Sequence, residues 1–210
     1  ALAAVLLGML VQSTPVSFGA VGTPIIIGVN SGLDSATIGA QLAAKGSSWD
    51  IFLRVITGNV AIIHAMVGTV IPLIMVMMLT RFFGREKSWK AGLEVLPCAL
   101  FAGLAFTVPY AFTGVLLGPE FPSLLGGLVG LAIVTGAARF GFLVPKKTWD
   151  FADPKEWPSE WMGSIEMKLD QLPHHQPIGI FRAWLPYVLV GALLVLSRVF
   201  PEIGGAMKSV

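Results

Sequence analysis

The chain carries repeated apolar stretches, each long enough to cross a lipid bilayer, and this feature limits its fold more than any other. Stretches of about 20 residues lie near positions 55–80, 91–117, 123–144 and 183–200. An α-helix rises about 1.5 Å per residue, so about 20 residues cover a hydrocarbon core about 30 Å thick. Apolar residues make up 55% of the chain and charged residues 12%. The pattern predicts an all-α, polytopic integral membrane protein.

A further apolar segment, Ala1–Val29, raises the predicted number of membrane segments to about five. It begins inside an apolar run, with neither an initiator Met nor a basic flank. A signal peptide would carry a charged region and a cleavage site, so this start is typical of an internal piece of a longer protein. We expect residues 1–210 to form a single membrane domain that is part of a larger carrier.

The placement of basic residues predicts the orientation of these segments. Ten of the fourteen Lys and Arg residues lie in two stretches, Arg81–Lys90 and Arg139–Arg182. Because cytoplasmic loops carry an excess of basic residues, both stretches are predicted to be cytoplasmic. Residues Pro145–Ile178 then form a cytoplasmic loop, with a short amphipathic helix near Glu160–Leu172. The predicted location is a multi-pass position in the plasma membrane.

The first segment contains "VQSTPVSFGAVGTPIII", Val11–Ile27, where polar residues, glycines and two prolines interrupt an apolar run. Thr14 precedes Pro15, and Thr23 precedes Pro24. A hydroxyl residue followed by proline is typical of a helix start, with the hydroxyl as N-cap. The segment is therefore predicted to be helix, break and helix, with the break between Gln12 and Pro24.

Such a break has two interpretations, which the pattern does not separate. Free amides and hydroxyls at helix ends can hold an anion, as in the discontinuous helices of transporters. Alternatively, the segment is a proline-kinked helix whose hydroxyls bond their own carbonyls. On the first interpretation, the candidate substrate-binding residues are Gln12, Ser13, Thr14, Ser17, Gly19, Gly22 and Thr23.

His64 is the titratable residue deepest in the second apolar stretch. Helical spacing places it on one arc with Thr57, Ala61, Gly68 and Pro72, a small and polar stripe expected to face protein. Histidine is the side chain that ordinarily exchanges a proton near neutral pH, so His64 is the candidate for proton coupling. The alternative is a structural hydrogen-bond partner.

Other reactive residues form no recognisable site. Arg139 and Arg182 are candidates for a carboxylate clamp, but both lie at predicted cytoplasmic ends, where binding of lipid headgroups explains them as well. Cys98 is the single cysteine, and no third ligand completes a metal site with His174 and His175. We predict no catalytic residue, metal, cofactor or nucleic-acid partner, and no enzyme activity.

Four motifs resemble the L-lactate permease family, and together they extend over nearly the whole chain. They are "STPVSFGAVGTPI" at 13–25, "LTRFFG" at 79–84, "GPEFPSLLGGLVGL" at 118–131 and "AWLPYVLV" at 183–190. The resemblance implies a proton-coupled carrier of L-lactate and related 2-hydroxy monocarboxylates such as glycolate. The implied partners are the carboxylate substrate, protons, the lipid bilayer and the remainder of a full-length carrier.

Other functions stay open on pattern alone. They are secondary transport of another anion or carboxylate, a channel, and a non-transporting membrane scaffold subunit. A membrane enzyme would need paired carboxylates, a metal cluster or an activated nucleophile at membrane depth, and the apolar stretches contain none of these.

Overall fold

The structure, a computed structural model, describes residues 2–33, 35–146, 149–151, 156–161 and 179–200. The regular elements in these ranges are helices, which confirms the all-α prediction. The chain divides into two compact units, Ala1–Ile165 and Glu166–Val210. The candidate site lies entirely in the first unit.

The first membrane segment is broken where the prolines predict it. Helix α1, Leu2–Val11, is followed by a 3-10 turn at Val16–Phe18, a short segment α2 at Gly19–Thr23 and a π-helical stretch at Pro24–Val29. The two arms are bent by 72°. The predicted interruption between Gln12 and Pro24 is therefore confirmed.

Helix α3, Ser35–Ala44, is a short helix between the first two apolar segments. Helix α4, Trp49–Gly68, begins where the Ser48 hydroxyl accepts a hydrogen bond from the Ile51 amide. Helix α5, Ile71–Phe83, continues in a similar direction, so that the pair forms one apolar span of 35 residues. The sequence did not predict the short interruption between them.

Helix α6, Trp89–Leu93, leads into α7, Leu96–Leu116. Pro97 lies in the first turn of α7, where its missing amide hydrogen costs no helical bond. Pro109 does lie inside α7, and its carbonyl accepts a hydrogen bond from the Thr113 hydroxyl at 2.8 Å.

Helix α8, Pro122–Arg139, packs along α7 through its glycines. A Cβ atom added at Gly126 would lie 3.2 Å from Tyr110 Cα, and one added at Gly130 would lie 3.0 Å from Phe106 Cα. This pair of glycines, spaced four residues apart, therefore allows the two backbones to approach closely.

Three spans are long and apolar enough to cross a membrane in the described residues, or four if the bent first segment counts as one. In the second unit, α9 extends over Ile180–Val199, with a shorter apolar stretch at Ile180–Leu193. The predicted number of about five is thus approximate. Of the predicted helix near 160–172, residues 162–172 lie outside the described residues, as does much of the 145–178 loop.

The buried core of the first unit lies between the broken segment, α4 and α7. It contains Phe18 and Ile25 of the broken segment, Ala61 of α4 and Tyr110 of α7. The rings of Phe18 and Tyr110 meet edge to face, with centroids 5.3 Å apart. The break is therefore packed inside protein, which is where irregular backbone is tolerated in a membrane.

Candidate functional site

The hydroxyls beside the break bond backbone carbonyls and do not cap helices. The Thr23 hydroxyl donates to the Ala20 carbonyl at 2.5 Å, where Pro24 has no amide hydrogen to offer. The Ser13 hydroxyl donates to the Leu10 carbonyl at 2.6 Å. No side-chain cap is present at either helical start after the break. Thr23 does occupy the N-cap position before Pro24, as predicted, but its side chain makes no cap bond. The Ser13 and Thr23 hydroxyls thus do what the kinked-helix interpretation expects.

The break contains three consecutive residues in the left-handed region. The φ angles are 45° at Ala20, 58° at Val21 and 76° at Gly22. A left-handed conformation costs about 1–2 kcal/mol for each residue with a Cβ atom, and Val21 is β-branched. Such backbone strain persists only when the surrounding structure enforces it.

Side chains from three helices hold the carbonyls that the break leaves free. The Thr14 carbonyl is 2.9 Å from His64 Nδ1 of α4 and 3.3 Å from the Tyr110 hydroxyl of α7. The Phe18 carbonyl accepts a hydrogen bond from the Ser123 hydroxyl of α8 at 2.8 Å. Backbone groups away from water need such partners, so these contacts stabilise the break in its irregular conformation.

His64 lies at the centre of these contacts. Its Nε2 atom is 3.3 Å from the Ser17 hydroxyl, and its Nδ1 atom is 3.2 Å from the Tyr110 hydroxyl. The ring is partly buried and meets Phe18 edge to face at 6.4 Å. His64 is therefore a structural hydrogen-bond partner of the break, while its role in proton coupling stays a prediction.

The stripe around His64 faces protein as predicted. Thr57, Ala61 and Gly68 are buried. At Gly68 an added Cβ atom would overlap the methyl group of Thr14. The absence of a side chain at Gly68 thus lets the break approach α4 closely.

The predicted site residues divide between two sides of the broken segment. Thr14, at 8% exposed, and Gly22 are buried, and Ser17 and Gly19 are partly buried. Three others are exposed in the described residues, namely Gln12, Ser13 and Thr23. The two sides have different neighbours, and the buried side is the one that contacts His64.

The two candidate glycines, Gly19 and Gly22, have different surroundings. Gly22 is buried against the turn before α8, and an added Cβ atom would overlap the Pro119 carbonyl. The Gly19 amide already donates to the Val16 carbonyl. Space is open beside Gly19, where an added Cβ atom would have no neighbour within 4 Å. Only Gly19 therefore leaves room for a bound molecule.

Sequence reasoning missed Tyr110 and Ser123 as partners of the break. The only indication in the sequence that Ser123 matters was its place in the motif "GPEFPSLLGGLVGL" at 118–131. Glu120 lies in the turn between α7 and α8 and is partly buried. Its Oε2 atom is buried and has no hydrogen-bond partner among the described residues.

The alternative charged sites lie away from the break or outside the described residues. Arg139 is exposed in the last turn of α8, sixteen residues after Ser123. Arg182 belongs to the second unit. His174 and His175 are not among the described residues, within which no group of three metal-ligating side chains occurs.

A cleft of about 470 Å³ lies near the loop between α5 and α6. Its lining carries both signs of charge, including Arg85, Glu86, Lys146 and Asp150. None of the predicted site residues lines it. The positive-inside rule places these residues at the membrane surface, so the cleft and the broken segment are separate features.

Comparison with known proteins gives the family. The family model described as L-lactate permease matches residues 1–209. The glycolate permease GlcA of Escherichia coli K12 is 27% identical over 195 residues, which are 92% of this chain and 30% of that protein. The L-lactate permease of Bacillus subtilis 168 is 28% identical over 189 residues, 89% of this chain and 28% of that protein.

A putative L-lactate permease of Haemophilus influenzae is 32% identical over 145 residues, covering 68% of this chain and 23% of that protein. No solved structure matches the chain. The chain spans less than a third of the length of these relatives. With a family match from end to end and several apolar helices able to span a bilayer, this multi-pass membrane chain belongs to the L-lactate permease family.

Proposed function

We propose that the carrier containing this chain performs secondary active transport of L-lactate and related 2-hydroxy monocarboxylates, such as glycolate, across the plasma membrane by proton symport. The relatives named as L-lactate and glycolate permeases support this substrate class. The observation that carries the coupling mechanism is the contact of His64 with the break. A titratable imidazole there bonds both a carbonyl and a hydroxyl of the broken segment.

Charge supports a role for the proton. Residues 12–33 contain no charged side chain, and neither does α7. A carboxylate that enters this region loses water and has no permanent cation to offset its charge. A proton on His64 supplies the missing positive charge, and transport of lactate with a proton moves no net charge.

The hydroxyls of the broken segment have distinct roles in this proposal. The protons of Ser13 and Thr23 are committed to backbone carbonyls, so their oxygens offer lone pairs that suit the substrate's hydroxyl. Ser17, next to His64, is the donor for the substrate's carboxylate. Gln12 offers both a donor and an acceptor on the exposed side. Thr14 and the space beside Gly19 complete the proposed site.

The test is uptake of labelled L-lactate by the full-length carrier in membrane vesicles, with and without an imposed proton gradient. We expect the gradient to drive uptake in wild type. His64→Gln keeps a polar side chain, but a glutamine amide does not take up a proton. This variant should therefore abolish the response of lactate uptake to the proton gradient. Asn59→Ala, on the exposed side of α4, is the matched control.

Two results would contradict the proposal. Wild-type vesicles that accumulate no lactate under any gradient would remove the substrate assignment. A His64→Gln carrier that still accumulates lactate against its gradient, driven by protons as in wild type, would remove His64 from the coupling mechanism.

A further inference from the structure

The partners of His64 determine which of its nitrogens carries the proton in the neutral ring. Nδ1 lies 2.9 Å from the Thr14 carbonyl oxygen, which can only accept a hydrogen bond. An unprotonated Nδ1 would place two lone pairs against each other at this distance. Nδ1 therefore carries the hydrogen and donates to the Thr14 carbonyl.

Tyr110 is compatible with this tautomer. Its hydroxyl donates to the Thr14 carbonyl at 3.3 Å, and its oxygen, 3.2 Å from the His64 Nδ1 nitrogen, is a second acceptor for the Nδ1 hydrogen. A carbonyl oxygen has two lone pairs, so Thr14 can serve both donors. The remaining nitrogen, Nε2, is then unprotonated in neutral His64.

Ser17 must therefore donate its hydroxyl proton to neutral His64. Its oxygen lies 3.3 Å from Nε2, and Nε2 can only accept in this state. The Ser17 hydroxyl is thereby occupied and has no proton to offer a carboxylate.

Protonation of His64 reverses this hydrogen bond. A proton from water binds to Nε2, the only ring atom with a free lone pair, and Nε2 then donates to the Ser17 oxygen. The Ser17 hydroxyl hydrogen rotates away from the ring and becomes available to another acceptor. Release of the proton restores the first arrangement, so no other reactant is needed.

We infer that the Ser17 hydroxyl is the switch that links a proton on His64 to a carboxylate in the break. When His64 is neutral, Ser17 points its hydrogen at the ring and presents only lone pairs, which repel a carboxylate. When His64 is protonated, Ser17 presents its hydrogen to the carboxylate, and the imidazolium behind it adds its charge. This inference rests on the proposed lactate transport.

The other titratable and charged groups around His64 leave this switch undisturbed. The broken segment has none over residues 12–33, and α7 offers Tyr110 and the distant Cys98. On α4 itself, Asp50 and Arg54 precede His64 by 14 and 10 residues, or about 21 and 15 Å along the helix.

Three further charged groups of the described helices lie at the ends of their elements. Arg81 and Arg139 lie in the last turns of α5 and α8, and Glu120 lies beyond the end of α7. His64 is thus the group through which pH acts on Ser17.

The test is the pH dependence of lactate binding by the purified full-length carrier in wild type, Ser17→Ala and Ser17→Thr. Wild-type affinity should weaken by at least about fivefold from acidic to alkaline pH, which is the size of ordinary coupling between two sites. Ser17→Ala should bind weakly at low pH and lose most of this dependence. Ser17→Thr retains a hydroxyl and should restore it.

A Ser17→Ala carrier with wild-type pH dependence would overturn the switch while leaving lactate transport in place. A merely structural loss would weaken binding equally at every pH, and that result would also overturn it. By reciprocity, lactate binding should increase proton uptake by wild type and not by Ser17→Ala, which calorimetry in buffers of different ionisation enthalpy measures.

A second measurement tests the proposed Ser17 switch in the absence of lactate. Nitrogen-15 spectra of the imidazoles in the ligand-free carrier report the tautomer, and His64→Gln identifies the His64 signals among those of the carrier's other histidines, which include His174 and His175. We expect a protonated Nδ1 and a bare Nε2 in the neutral ring. A neutral ring with its proton on Nε2 would overturn the switch, whatever the carrier transports.

Discussion

The α7–α8 pair and the broken segment are both packed closely through glycine, yet they are held by different forces. In the pair, Gly126 and Gly130 lie in regular helix and approach the backbone of α7. In the broken segment, Gly22 is left-handed, and two carbonyls depend on polar side chains from other helices. The pair satisfies its backbone locally, whereas the break requires the rest of the fold.

This difference bears on function. Regular helices in a membrane expose few polar groups, because the backbone bonds itself. Around the imidazole of His64 lie instead one carbonyl and one hydroxyl of the broken segment and the Tyr110 hydroxyl of α7. The tertiary contacts that hold the broken segment are thus the same contacts that create a polar site.

The largest expected effect is that of Gly22→Ala. A side chain there meets the Pro119 carbonyl, and the φ of 76° adds about 1–2 kcal/mol for any residue with a Cβ atom. We expect loss of folded carrier, measured by size-exclusion profile and thermal unfolding in detergent. Gly19→Ala is the control, because its φ is −61° and the space beside it is open. Equal melting temperatures for the two variants would show that the broken segment accommodates a side chain at position 22 without loss of stability.

Gly130→Ala should have the next largest effect. Its Cβ atom would lie 3.0 Å from Phe106 Cα, so the helices must separate, at a cost of about 1–3 kcal/mol. Gly127→Ala, on the same helix with no neighbour within 4 Å, should leave stability unchanged or raise it by up to about 1 kcal/mol through helix propensity. Thermal unfolding of both variants checks the contrast. A destabilised Gly127→Ala would instead indicate that this face of α8 contacts the remainder of the carrier.

The position of the break followed from the sequence, but its conformation did not. Pro15 and Pro24 interrupt a helix because proline has no amide hydrogen, a property that does not depend on the rest of the fold. The partners of the Thr14 carbonyl are 50 and 96 residues away, so only the packed fold brings them together. The same limit explains why Tyr110 and Ser123 were missed.

Helix packing was more predictable than helix ends. The stripe through Thr57, Ala61 and His64 and the glycines of α8 depend only on helical period. The interruption at Thr69 and the start of α7 at Leu96 depend on how neighbouring helices pack, so the predicted spans were continuous where the structure is divided.

Tyr110→Phe should have a smaller effect on stability. The ring keeps its edge-to-face contact with Phe18, while the hydrogen bond to the Thr14 carbonyl is lost. His64 still bonds that carbonyl, so the expected cost is about 0.5–1.5 kcal/mol. Chemical or thermal unfolding measures it, with Tyr187→Phe on the exposed surface of α9 as control. A cost equal to that of Tyr110→Ala would show that the hydroxyl, and not the ring, holds the break.

The smallest effect on stability is expected for Ser13→Ala. The Leu10 carbonyl that accepts its hydroxyl also accepts the Ser13 amide at 3.1 Å, so removing the hydroxyl leaves that carbonyl bonded. Ser13 is exposed, and the change in unfolding free energy should stay within about 0.5 kcal/mol.

Ser123→Ala is the contrasting variant. It removes the hydroxyl that bonds the Phe18 carbonyl, and it should lower the free energy of unfolding by about 1–3 kcal/mol.

Lactate binding by these two serine variants separates structure from function in the break. If the Ser13 oxygen accepts the substrate's hydroxyl, Ser13→Ala should weaken lactate binding several-fold at almost unchanged stability, because a lost hydrogen bond is worth about 0.5–1.5 kcal/mol. Propionate, which lacks that hydroxyl, should bind wild type and Ser13→Ala equally. A Ser13→Ala carrier with wild-type lactate affinity and normal stability would confine the site to the buried side of the broken segment, around Ser17 and His64.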